Sequence, residues 1–299
     1  MSNVFERSVA FSLTIAKVGV KKKVDTRKMQ MREEYGAQPD QAAIGVNKEI
    51  ITCPEYDAIG KLDGQTRTAL GKLALPSPLR SGIYLIPLDL VSRVDEAIEQ
   101  YKQQRRQMVD VFCNAYSRAV RDAEQRLGGL FDGNDYPDVD SVRAAFQVAT
   151  AYLDLGLPKT LEQQNADIYT REQQAFKERL NTASDEIRAA LRESFQELIS
   201  HMADRLQPGT DGKPRIFRDS LVLNLREFLD SFQARNITDD AELDKLVSQA
   251  RQVLNGKSAQ ALRDFADTRD QVKTGLTAIK EQLSTMVTTA PVRKFSFDE

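Results

Sequence analysis

The stretch LDLVSRVDEAIEQYKQQRRQMVDVFCNAYSRA, residues 88–119, decides the architecture that the sequence predicts. Apolar residues recur along it in alternating steps of three and four, which places them on one edge of an α-helix through about four heptads. A regular apolar edge must pack against another helix, so the pattern predicts a coiled-coil-like pairing. The edge consists of Val91, Val94, Ile98, Tyr101, Arg105, Met108, Phe112, Ala115 and Ala119.

The last helical stretch, residues 258–287, repeats this spacing. Its partner is predicted to be either the 88–127 helix, as an antiparallel hairpin, or another subunit, and the pattern does not decide between them. Its edge consists of Leu262, Phe265, Arg269, Val272, Leu276, Ile279, Leu283 and Met286.

We expect interaction residues at Ile98, Arg105, Phe112, Arg269, Leu276 and Leu283. A charge placed at one of the four apolar positions is expected to disrupt folding or assembly. Each arginine has two interpretations. It either extends its charged end to water or pairs with an acid and fixes the register of the helices.

The remaining helices are predicted from periodicity and from turn residues. One helix carries the apolar residues from Val139 to Leu153, and a longer one covers 161–206. Shorter helices cover 218–234 and 240–254, the second capped by Asp239 with Glu242 at the capping-box position.

The N-terminal part favours strands. Val9, Phe11, Leu13 and Ile15 alternate with small or polar residues, which is typical of a strand, and further strands are predicted at 47–52 and 83–86. A helix begins at Pro54. The predicted fold class is therefore mainly α: an elongated bundle of long coiled-coil-like helices with a small N-terminal α/β region of short strands. This fold class divides the chain into three predicted parts. Residues 1–87 form the mixed region, whose strands share one sheet, residues 88–290 form the bundle, and residues 291–299 form a tail.

Composition narrows the class of protein. The net charge of −2 does not fit a strongly basic nucleic-acid binder. Cys53 and Cys113 form no CxxC pair, so we expect two buried thiols in a reducing compartment. No segment approaches the ~20 apolar residues that span a bilayer, so no membrane association and a cytoplasmic location are expected.

Active-site chemistry is not predicted. His201 is the single histidine, no cysteine lies at zinc-ligand spacing, and no phosphate-binding glycine loop occurs. The acidic loop FDGNDYPD, residues 131–138, departs from the EF-hand pattern and is interpreted as a solvated turn with an aspartate helix cap. We therefore expect a protein that is not an enzyme, with no cofactor and no metal.

Positive charge is concentrated near the N-terminus. Residues 1–32 hold eight Lys or Arg residues and two acidic ones. Such a patch can neutralise phosphates, although it lacks the interleaved aromatic residues of single-strand binders. Nucleic-acid contact is the alternative function, and its candidate residues are Lys21, Lys22, Lys23, Arg27 and Lys28.

Two blocks carry a family resemblance. VGVKKKVD at 18–25 is followed by RSGIYLIPLDLVSRVDEAIEQYK at 80–102 and then by long helices. This order resembles an uncharacterised family of bacterial and phage proteins whose genes lie beside those for a MoxR-type AAA+ ATPase and a von Willebrand factor A protein. The resemblance covers about the first 120 residues and transfers no site residue. It implies a AAA+ ATPase as protein partner, with this chain as an adaptor, a substrate-recruiting subunit or a scaffold of a phage or mobile element. Self-association as a homo-oligomer is expected from the two apolar edges.

Overall fold

The protein is mostly helical, with a small antiparallel sheet region near its N-terminus. The computed structural model describes residues 6–24, 46–75, 82–154, 159–208, 215 and 217–287. The predicted tail 291–299 and the candidate residues Arg27 and Lys28 lie outside the described residues. The main prediction, a mainly α protein with short N-terminal strands, is confirmed.

The chain forms two compact units. The first combines Met1–Phe11, Gly71–Val91 and Tyr152–Glu299, and the second combines Ser12–Leu70 and Ser92–Ala151. These units interleave along the chain, whereas the sequence suggested consecutive stretches. The division into 1–87, 88–290 and 291–299 stays a prediction about which pieces fold independently.

Three strands form one sheet in the order β4-β1-β5, namely β1 (Ser8–Ile15), β4 (Ile83–Pro87) and β5 (Val148–Leu153). Strand β5 corrects the predicted helix through Leu153. The segment VATAYL is rich in β-branched and aromatic residues, and the backbones of Ala16 and Gln147 exchange hydrogen bonds of 2.9 and 3.2 Å where β1 meets β5.

A separate antiparallel ribbon pairs β2 (Lys21–Lys23) with β3 (Asn47–Glu49). The prediction that the N-terminal strands share one sheet is therefore wrong. Ribbon and sheet are distinct because β5, from later in the chain, pairs with β1 instead of β3.

The second unit contains the helices α1 (Pro54–Leu73), α2 (Val91–Leu127, from Ser92 onward) and α3 (Val139–Ala144). Helix α2 ends where predicted, because Gly128 adopts a positive φ of 49° that favours glycine. Its buried side chains follow a spacing of about 3.6 residues, as in a straight helix, and not the strict 3.5 of a heptad seam. Val109 and Tyr116 are therefore buried where Met108 and Ala115 were expected.

The first unit contains six of the described helices. They are α4 (Lys159–Gln164), α5 (Ala166–Leu206), α6 (Asp219–Arg235), α7 (Ala241–Leu254), α8 (Ala259–Asp264) and α9 (Ala266–Val287).

Two of the predicted helices in this unit are interrupted, and one cap is displaced. Asn165 caps α5 by accepting the amide of Ile168, which divides the predicted 161–206 helix. Phe265 has extended backbone and divides the predicted 258–287 helix. The α7 cap is Asp240 instead of Asp239, and Asp239 has a positive φ of 52°.

The core of the first unit is built on α5, α6, α7 and α9. Phe195 stacks on Phe228 at 5.2 Å between ring centres, which joins α5 to α6. The buried edge of α9 packs on α5 and α7. The described partners of α9 are therefore α5 and α7 of its own unit, whereas the sequence left open a hairpin with the 88–127 helix or a partner in another subunit.

In the part of the chain that the structure describes, no helix has both the length and the apolar character needed to cross a membrane.

Candidate interaction surfaces

Arg105 lies at the centre of a buried polar network in the second unit. Its side chain is almost fully buried, and Nε donates to Oδ1 of Asp63 at 2.9 Å. Nη2 donates to the carbonyl of Ala16 at 2.8 Å and to Oδ2 of Asp63 at 3.4 Å. The guanidinium also lies over the Phe146 ring, 5.5 Å from its centre. Of the two interpretations of Arg105 from the sequence, the structure shows the second: the side chain pairs with an acid, Asp63, and does not extend to water.

Tyr101 completes this network from one turn earlier on α2. Its hydroxyl donates to Oδ1 of Asp63 at 2.8 Å, so the carboxylate is held from two sides. Burial and the hydrogen bond to Asp63 raise the pKa of Tyr101 far above its usual range, and the hydroxyl therefore stays a neutral donor. A satisfied buried network of this kind specifies one alignment of α1, α2 and β1.

Ile98 and Phe112 are core residues of the second unit. Phe112 contacts Tyr56, Tyr116 and Phe146, with ring centres 5.5 to 6.0 Å apart in edge-to-face geometry. Because these side chains are covered within the chain, a helix of another protein cannot reach them without opening the unit. Their role in an interface stays a prediction.

Leu276 and Leu283 are fully buried in the core of the first unit. Between α9 and α7 the packing is close enough to require a glycine: a Cβ at Gly275 would lie 2.7 Å from Cγ2 of Val253. Sequence periodicity identified the leucines but not this contact, because glycine carries no hydrophobic signal.

Arg269 differs from Arg105 in being only half-buried. Its Nη1 donates to the carbonyls of Leu262 and Arg263, at 3.5 and 3.4 Å, where α8 ends and α9 begins. Among the described residues it makes no ion pair with an acid. It therefore caps a helix break, a role that neither interpretation of the sequence included.

The basic ribbon is less positive than its sequence suggests. Lys22 faces Lys48 across the two strands, and Asp135 lies 2.6 Å from Nζ of Lys48 and 4.0 Å from Nζ of Lys22. Lys21 and Lys23 are exposed and lie opposite Glu49 and Asn47. Lys21, Lys22 and Lys23, the candidate residues that the structure describes, are thus all exposed, and Lys22 lies within 4.0 Å of the Asp135 carboxylate.

The acidic loop provides a helix cap, as expected from its sequence, and its Asp135 also pairs with Lys48. Oδ1 of Asp138 accepts the amides of Asp140 and Ser141 at the start of α3. The hydrogen bonds from Ser141 lower the pKa of Asp138, so the cap is ionised at neutral pH. Across the described ranges, no cluster of three His, Cys, Asp or Glu side chains has the geometry to hold a metal ion.

The first half of α5 includes a helical surface, residues 166–182, that lies outside the described core. From 166 to 182 none of the side chains described is buried, and the first buried one is Ala183. Ile168 is 37% exposed, and Tyr169 is half-buried two heptads before Ala183 on the same edge. The core-facing edge of α5 thus continues beyond the core.

Comparison of the chain with protein-family models, with curated proteins and with solved structures found no match. The candidate surfaces therefore rest on the geometry of this chain alone.

Proposed function

We propose that this chain is a non-catalytic helical adaptor or scaffold, which self-assembles or docks on a AAA+ ATPase of the MoxR type. The observation that carries the proposal is the uncovered first half of α5. The ATPase partner and the phage or mobile-element setting come from the family resemblance of residues 18–25 and 80–102, and the cytoplasmic location comes from the cysteine usage and the apolar content of the sequence.

A helix segment of this kind gains stability from a partner. Residues 166–182 make between four and five turns on which no described side chain is buried, and most of the stability of a helix in a protein comes from packing of its apolar face. Ile168 and Tyr169 place apolar surface on it, and burying a side chain of this size contributes about 1.5–3 kcal/mol. A second helix laid along this edge supplies that burial.

The charges beside this edge suit a helical partner. Asp167, Arg171, Lys177 and Glu178 place charges of both signs along the exposed side of α5. Mixed charges flanking an apolar edge set the orientation and choice of partner in paired helices. An elongated, coiled-coil-like bundle extending through α5 is the form of assembly that we propose.

Sedimentation velocity over a range of concentrations tests self-assembly. We expect the wild type to form a larger species that Ile168→Lys dissociates, with the circular dichroism of the variant unchanged. Leu223→Lys is the matched control, because Leu223 is 55% exposed on α6 of the same unit. A wild type that stays monomeric and does not bind a MoxR-type ATPase would remove the proposal.

Nucleic-acid contact is the second candidate, supported by the exposure of Lys21 and Lys23 on the β2–β3 ribbon. A mobility-shift titration across salt concentrations tests it, since each phosphate contact contributes about one unit to the salt slope. We expect Lys21→Glu/Lys23→Glu to weaken binding and Lys61→Glu, an exposed lysine on α1, to leave it unchanged. Absence of binding by the wild type at low salt excludes this function.

A further inference from the structure

The junction between α8 and α9 interrupts a helix where the sequence contains no helix breaker. The segment ALRDFADTRD, residues 261–270, has neither Gly nor Pro, and its apolar spacing continues through Leu262, Phe265 and Val272. The backbone nevertheless becomes extended at Phe265, with φ −114° and ψ 112°. Local propensity therefore does not account for the bend.

Packing at the bend does not account for it either. The four residues from Asp264 to Asp267 are all exposed, and Phe265 presents a ring that is 61% exposed. Exposed phenylalanine is unfavourable, so the bend must be held by contacts on either side of it.

On the α8 side, Arg263 holds the helix against the start of α6. Its Nη1 donates to Oδ1 of Asp219 at 2.7 Å and to the carbonyl of Phe217 at 3.3 Å. The guanidinium also lies over the Phe217 ring at 5.5 Å. Leu262 is fully buried beside these contacts and Ala259 packs partly buried against the same core, so α8 is docked by Leu262, Ala259 and Arg263.

On the α9 side, Arg269 replaces the backbone donors that the bend removes. In an uninterrupted helix the carbonyls of Leu262 and Arg263 accept the amides of residues 266 and 267. Here Nη1 of Arg269 donates to both carbonyls. The side chain thereby reduces the free-energy difference between a bent and a continuous helix.

We infer that α8 is a latch: it undocks from α6 and joins α9 as one continuous helix from 259 to 287. In the continuous form Leu262, Phe265, Arg269 and Val272 lie on one edge, which extends the apolar edge of α9 by about two turns. Undocking also uncovers Phe217.

Hydrogen exchange of the full-length chain, resolved to single residues, tests the latch. In the bent form the amides of residues 266–268 lie in the first turn of α9, where helices lack internal acceptors, so they exchange fast in the wild type. Arg269→Ala and Asp219→Asn, made singly and together, weaken the bent form. We expect them to slow exchange at 266–268 by about tenfold or more.

Lys273→Ala is the matched control, because it removes only a surface ion pair with Asp270 on the same helix. It should leave exchange at 266–268 as in the wild type. Three results would overturn the latch. The first is that the wild-type amides of 266–268 exchange as slowly as those of 276–279. The second is that the double variant exchanges at 266–268 at the wild-type rate. The third is that exchange in the variants becomes faster throughout α8 without becoming slower at 266–268.

Discussion

Replacing Arg105 by alanine should destabilise the second unit more than any surface change on the same helix. The substitution removes three hydrogen bonds and leaves the buried carboxylate of Asp63, 4% exposed, with the Tyr101 hydroxyl as its remaining donor from α2 among the described residues. Removing one partner of a buried ion pair costs about 3–5 kcal/mol, since the other charge stays buried. A loss of this size is a large part of the stability of a typical domain.

Urea unfolding followed by circular dichroism measures the loss in the free energy of unfolding. Hydrogen exchange along α2 assigns the loss to the second unit if the two units unfold separately. Arg118→Ala is the control, because Arg118 pairs with Glu55 at 2.6 Å on the exposed side of α2. A triple change, Arg105→Met, Asp63→Leu and Tyr101→Phe, removes all the buried polar groups of the network and should restore most of the stability. If Arg105→Ala were no more costly than Arg118→Ala, the reasoning would be refuted.

Three further predictions concern the first unit. Burial raises the pKa of Asp240, but hydrogen bonds from Arg192 and from the amide of Leu243 outweigh this effect, and the net result is a lowered pKa. The stabilisation by the ionised carboxylate is therefore present above pH ~4 and is lost as the pH falls through the folded-state pKa. Asp240→Asn should make the melting temperature less dependent on pH between roughly pH 3 and 6. Gly275→Ala should cost about 1–3 kcal/mol from overpacking despite the better helix propensity of alanine, and Val253→Ala should recover part of it in thermal unfolding. Leu276→Lys should abolish the cooperative unfolding transition of this unit in calorimetry, because it buries an unpaired charge.

Periodicity predicted the buried edges well over short distances and lost register over long ones. On α2 the predicted positions are buried from Val94 to Arg105; beyond it Val109 and Tyr116 are buried in place of Met108 and Ala115, while Phe112 and Ala119 are buried as predicted. The shift arises because a straight helix repeats every 3.6 residues and the heptad every 3.5, so the difference accumulates.

Strand β5 was missed because two patterns overlap before it. Val139, Val142 and Phe146 have helical spacing, and α3 does begin with the first two. The strand that follows is decided by its long-range pairing with β1, which local spacing cannot show.

The hydrogen-bond partners of the candidate residues could not be predicted from the sequence either. Asp63 is 42 residues from Arg105, and nothing in the sequence distinguishes it from the other acids of α1. Arg269 was assigned to an apolar edge, since the break that it caps follows from the docking of Arg263 on α6. The uncovered part of α5 could not be predicted either, because its apolar residues continue the same edge that is buried after Ala183.

The most direct test of the adaptor proposal is site-specific photo-crosslinking in the native cells, with the photoreactive residue at position 168 of α5. We predict adducts with a second copy of the chain or with a AAA+ ATPase, and far weaker adducts from position 223 of α6. Equal yields from both positions, or no adduct from position 168, would contradict a role for this helix as the contact surface.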